Sequence, residues 1–175
     1  MHRIPDQERS SAADLLVVLL QERKRREAAD ALTPTMDRHF RELCSLLLWK
    51  YSEASGKYQG CRYWSVGALA SKKKHGRIVT SKLKYEGEAL RHEHLYPRAS
   101  QIAALFALSN PSVEVVQGRL QELNIGVVVT EAEHRLLPKE GNAEKPWTRY
   151  ELAGVRCEPQ NDAQHQDEAD KATHG

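Results

Sequence analysis

Met36, Phe40, Leu43 and Leu47 stand four, three and four residues apart. That is the period of one helical face and predicts a helix over 34–54. Upstream, Leu15, Leu16, Leu19 and Leu20 form an apolar patch. They predict a helix over 11–32, with Ser11 as its cap and Asp14 at capping-box distance. Thr33-Pro34 separates the two, because proline holds its predecessor extended. Residues 1–10 carry no pattern and are expected to be disordered. Residues 11–56 then form an N-terminal helical layer.

Further on, Tyr63 to Ala70 reads as a short helix ending near His75-Gly76. Ile78-Val79-Thr80 and Leu83-Lys84-Tyr85 read as strand fragments. A helix is predicted over 99–108, with Ile102, Leu105 and Phe106 inward. Pro111 is expected to open the next helix at its first turn, with Val113, Val116, Leu120 and Leu123 on one face. Ile125 to Val129 is β-branched and short, the best strand in the chain. Thr130 can cap a helix with Glu133 at capping-box distance. Trp147 to Val155 is one more short element. The fold class expected is α+β: a mostly helical single domain with a small β-hairpin.

Composition narrows the function classes. The longest apolar run, Leu15 to Leu20, is far short of the ~20 residues that cross a bilayer. It also lacks the flanks of a secretory signal, so no membrane partner and a cytoplasmic location are expected. Three widely spaced cysteines, Cys44, Cys61 and Cys157, make neither a disulfide framework nor a Cys-x-x-Cys zinc site.

Charge is uneven. Lys50 to Arg98 holds eleven Lys and Arg against four acids, in a chain of net charge +2. Glu158 to Gly175 holds five acids and one Lys, so 158–175 reads as a disordered acidic tail. A basic middle in a near-neutral chain is the footprint of phosphate-backbone contact. Lys72, Lys73, Lys74, Arg77 and Arg98 are its candidate contacts. A solvated basic loop is the bland alternative.

Two motifs carry candidate chemistry. His92-Glu93-His94-Leu95-Tyr96-Pro97 places two imidazoles and a carboxylate within three residues. On a strand, His92 and His94 share one face and Glu93 points to the other, so an ideal strand cannot bring all three to one metal. A neutral imidazole can take a proton from water, and a carboxylate can hold a hard cation. Asn124 to His134 reads as a strand, a capping Thr130 and a helix carrying His134 early in its course.

Together these motifs resemble the His-Me finger, or HNH, nucleases over about residues 90–138. In that family a β-hairpin and a following helix form a ββα-metal site. The resemblance implies an HNH-like region over 57–157 that hydrolyses nucleic-acid phosphodiesters with a divalent ion, Mg or Zn. It implies His94 as general base, Asn124 as the residue that steadies it, and Glu93 and His134 as metal ligands. His92 is a further ligand, a phosphate contact or a bystander. Nucleic acid, DNA before RNA, is the implied partner. Two features depart from the family. The 29 residues between His94 and Asn124 read as two helices, and Pro138 occupies the place of a second helix histidine.

Residues 98–152 support a rival reading, a winged helix-turn-helix DNA binder without catalysis. Ser112 to Leu123 would be its recognition helix, and Ile125–Thr130 and Thr148–Leu152 its wing strands. That helix carries one basic residue, Arg119, against Glu114 and Glu122, little cation for phosphate and guanine contacts. A non-catalytic interaction protein is the third possibility.

Overall fold

The computed structural model describes residues 5–53, 56–80 and 85–160. The tail expected to be disordered is 158–175; its part from 161 onward lies outside them, as do the first four residues and most of the Leu83–Tyr85 fragment, while Cys157–Pro159 is a strand. The fold is α+β. In chain order the elements are α1 (Pro5–Ala28), α2 (Pro34–Ser52), β1 (Tyr63–Ser65), α3 (Val66–His75) and β2 (Leu90–His94). There follow α4 (Arg98–Phe106), α5 (Val113–Leu123), β3 (Gly126–Thr130), α6 (Glu131–Leu136), α7 (Thr148–Leu152) and β4 (Cys157–Pro159). No helix among the described residues is long and apolar enough to cross a membrane.

The chain forms two compact units, one of residues 1–56 and 94–125, the other of 57–93 and 126–175. The first is built from α1, α2, α4 and α5. Its core includes Leu16, Leu20, Cys44, Leu48, Leu105, Val116 and Leu120. Helix α1 starts at Pro5, well before the expected 11, and ends at Ala28. Ser11 is therefore no cap: its hydroxyl donates to the Gln7 carbonyl at 2.9 Å, the back-bond of a serine inside a helix. Asp30, at φ 53°, turns the chain after α1.

Thr33 caps α2 by accepting the Met36 N–H, with Pro34 in its first turn. The buried stripe of α2 is Cys44, Leu48 and Tyr51, rotated from the predicted face so that Leu43 is 52% exposed. Pro111 does not open α5. Ser112 caps it from the Val115 N–H, a stronger start than a proline alone because it satisfies an orphan donor.

The second unit carries a four-stranded sheet in the order β2-β3-β1-β4. β1 runs parallel to β3, with Tyr63 opposite Val127, and antiparallel to β4, with Tyr63 opposite Pro159. The Glu131 N–H donates to Ala89 O at 2.7 Å and the Leu95 N–H to Ile125 O at 2.9 Å. These bonds bracket β2 and β3 antiparallel and set Glu93 opposite Val127. Glu93, Val127 and Tyr63 thus form one row on one face. The other face packs a core of Tyr58, Cys61, Trp64, Ala68, Leu90 and Val128.

Two sequence expectations change here. Tyr63–Ser65 is a strand, and the helix begins only at Val66, where the Ser65 side chain accepts the Ala68 N–H. Residues 148–152 are a helix, and β3 lies inside the sheet between β2 and β1. Of the two wing strands of the helix-turn-helix reading, the first forms as β3 and the second, Thr148–Leu152, is a helix.

Candidate functional site

Glu93 sits near the end of β2 on the face shared with Tyr63. Its side chain is 16% exposed, and its two oxygens have different partners. Oε1 lies 2.9 Å from His134 Nδ1 on α6. Oε2 accepts from Arg149 Nη2 on α7 at 3.2 Å. His134 keeps 45% of its side chain exposed, while Arg149 keeps 13%. A largely enclosed carboxylate thus orients an imidazole that faces outward, with a guanidinium balancing the charge.

Local sequence places His134. Thr130 caps α6 in a full capping box, accepting the Glu133 N–H while the Glu133 carboxylate returns to the Thr130 N–H. His134 then follows one turn in. The same helix start brings Glu131 against Arg91 on β2 and Arg135 on α6, at 3.2 and 3.1 Å. The Arg135 and Arg91 guanidinium groups hold the Glu131 carboxyl below its ordinary range. Arg91 lies two residues before Glu93 and so on the same strand face. Tyr150, buried close to Arg149 and Glu93, has its phenol raised by burial above all. Trp147 packs edge-on against Tyr63, ring centroids 4.9 Å apart.

The other sequence candidates are placed elsewhere. Strand alternation turns His92 and His94 away from Glu93. His92 packs by Gly126 and Cys61: a Cβ on Gly126 would come 2.9 Å from His92 Nε2 and 2.7 Å from Cys61 Sγ. His94 belongs to the helical unit. There its Nε2 lies 2.6 Å from Arg98 Nη2, so the lone pair of a neutral ring is taken by a guanidinium. Arg98 also donates to Ser45 Oγ at 3.2 Å and lies over the Trp49 ring. Its pKa is lowered by burial, partly countered by Glu53. Asn124 ends α5, and its side-chain amide donates to the Leu48 carbonyl at 2.8 Å, tying α5 to α2.

Lys72, Lys73 and Lys74 occupy the last turn of α3, where cations complement the helix dipole. The Lys72 ammonium lies 5.7 Å from the Trp64 ring centroid. Lys74 and His75 both pair with Glu88, and these contacts hold the Glu88 carboxyl low. Lys73 and Arg77 are exposed.

The protein donors near His134 that could meet a divalent ion are few. Glu93 and His134 offer two, but Arg149 holds the second carboxylate oxygen. Among the described residues no group of three His, Cys, Asp or Glu side chains could hold a metal ion. Arg149, Arg91, Arg135 and Glu131 were not among the sequence candidates. Arg91 could have been found from its spacing to Glu93, whereas nothing local marks Arg149. Comparison with known proteins finds no matching family model, curated sequence or solved structure.

Proposed function

We propose that this protein is a nuclease-like phosphodiesterase acting on nucleic acid, with Glu93 and His134 as its working pair. The observation that carries the reading is the 2.9 Å contact between Glu93 Oε1 and His134 Nδ1 on an exposed helix. A carboxylate on Nδ1 selects the tautomer whose Nε2 is basic. His134 Nε2 then takes a proton from water as the water oxygen attacks phosphorus. The imidazolium returns that proton to the leaving oxygen as the phosphorus–oxygen bond breaks.

Arg91 and Arg135, 44% and 65% exposed at the side chain, are placed to meet phosphate oxygens. Lys73 and Arg77 extend the cationic surface without reading sequence. The antiparallel pairing of β2 with β3 and the helix α6 directly after β3 support the nuclease resemblance, although α4 and α5 stand between the two strands in the chain. The general base is assigned to His134 instead of His94. Arg149 already occupies one Glu93 oxygen, and no step is routed through a metal ion. Metal dependence enters as a variable of the test.

The test is cleavage of plasmid and of single-stranded DNA and RNA, in EDTA and with magnesium, manganese, nickel or zinc. Wild type should cut at least one substrate. His134→Ala should lower the rate by ~10²-fold or more, the usual share of a general base, while binding is retained. Wild-type protein inert on every substrate under every condition overturns the proposal.

A further inference from the structure

The segment Leu15-Leu-Val-Val-Leu-Leu20 is apolar around the whole circumference of α1, and Leu43 to Trp49 on α2 is nearly so. A helix with that pattern is normally covered on every side. In the helical unit only one side is covered. Leu16, Val17, Leu19, Leu20, Cys44 and Leu48 are buried, while Leu15, Val18, Leu43, Leu46 and Trp49 are 57, 63, 52, 52 and 44% exposed.

The exposed residues adjoin one another. Arg23 pairs with Asp37 and Arg26 contacts Met36, which sets α1 and α2 antiparallel. Continuing that register brings Val18 opposite Leu43 and Leu15 opposite Leu46. Each pair recurs at a spacing of three, one stripe per helix. The result is a continuous apolar band along the outside of the hairpin.

We infer that this band is the interface between two copies of the chain. Two observations favour a second copy. The first is area. Five half-exposed apolar side chains present roughly 400–500 Å². At the ~65% apolar share of a homodimer interface this implies roughly 600–800 Å² per partner, near the ~800 Å² of a stable complex. The second is charge. The rim carries exposed Asp14 and Glu42 with exposed Arg38 and Lys50, two charges of each sign. A copy of the same face meets that rim without net repulsion, whereas a strongly acidic or basic partner finds no net attraction. A two-fold pairing of the hairpins completes a four-helix layer and covers both stripes. The inference is independent of the nuclease reading.

Light scattering and sedimentation of the purified full chain at micromolar concentration should give twice the chain mass. Val18→Glu and Leu46→Glu, each with a native far-UV spectrum, should weaken self-association at least ~100-fold, because each places a charge in a desolvated contact. Should either variant misfold, Leu46→Cys in the intact chain supplies the second readout, an intermolecular cross-link with a short bis-maleimide. A monomer at every concentration overturns the inference, even where the chain captures some other protein. A dimer unmoved by folded Val18→Glu and Leu46→Glu, or no cross-link at Leu46→Cys, overturns it equally.

Discussion

Ser65 donates its hydroxyl to the Glu133 carboxylate at 2.6 Å, so one acid serves the starts of two helices. Ser65 caps α3 by accepting the Ala68 N–H at 2.9 Å. Glu133 Oε2 also accepts the Thr130 N–H and hydroxyl at 2.8 and 2.9 Å. The close packing leaves no side chain at residue 67, where a Cβ would come 2.5 Å from Glu133 Oε1.

Removing that acid should therefore cost more than a surface cap. Glu133→Ala leaves the buried Ser65 and Thr130 groups without their acceptor, an expected loss of about 2–3 kcal/mol. Urea unfolding of Glu133→Ala, Ser65→Ala and the double variant should show losses that are less than additive by ~0.5 kcal/mol or more. Additive losses would mean that the two caps act separately.

Gly126 tests the face of the sheet opposite Glu93. Alanine there drives a methyl into Cys61 Sγ and His92 Nε2, 2.7 and 2.9 Å from the ideal Cβ. Gly126→Ala should lower stability by about 1–3 kcal/mol, the range for overpacking a tight site. Adding Cys61→Ala should recover part of the loss. No recovery in the melting temperature would place the strain elsewhere.

Asp37 links stability to pH. Burial alone would raise its pKa, but hydrogen bonds from Arg41 and Arg23 outweigh this and hold the carboxyl below its ordinary range. A carboxyl depressed in the fold stabilises above its unfolded pKa, and that contribution is lost as pH falls through the folded value. Asp37→Asn should thus cost about 1–2 kcal/mol at neutral pH, a figure reduced for partial solvent exposure. The gap to wild type should close below about pH 4. A gap unchanged between pH 7 and pH 3 melts would show that the carboxylate charge contributes nothing.

The helical elements were legible because their signals are local. Thr33-Pro34 and the Thr130–Glu133 box mark starts through groups within three residues of each other, and β-branched Val127 to Val129 can be read as a strand on composition. Helix α5, by contrast, was expected to open at Pro111 and is capped by Ser112. The start of α1 was misread because Ser11 has the chemistry of a cap and sits inside a helix, where its hydroxyl turns back to Gln7. Tyr63–Ser65 was misread because a three-residue strand has no period of its own. Only its neighbours β3 and β4 make it one.

By itself the sequence determined the α+β class, the periods of α2, α4 and α5, and the divergence of Glu93 from His92 and His94, since alternation on a strand is a property of the backbone. Only the tertiary structure decided what each side chain meets. Glu93 lies between His134 and Arg149 because strand register and helix docking carry distant segments to one point, and no local pattern encodes that meeting. The same holds for Leu43. Its spacing put it on an apolar helix, but which side of that helix is covered depends on where α1, α4 and α5 pack.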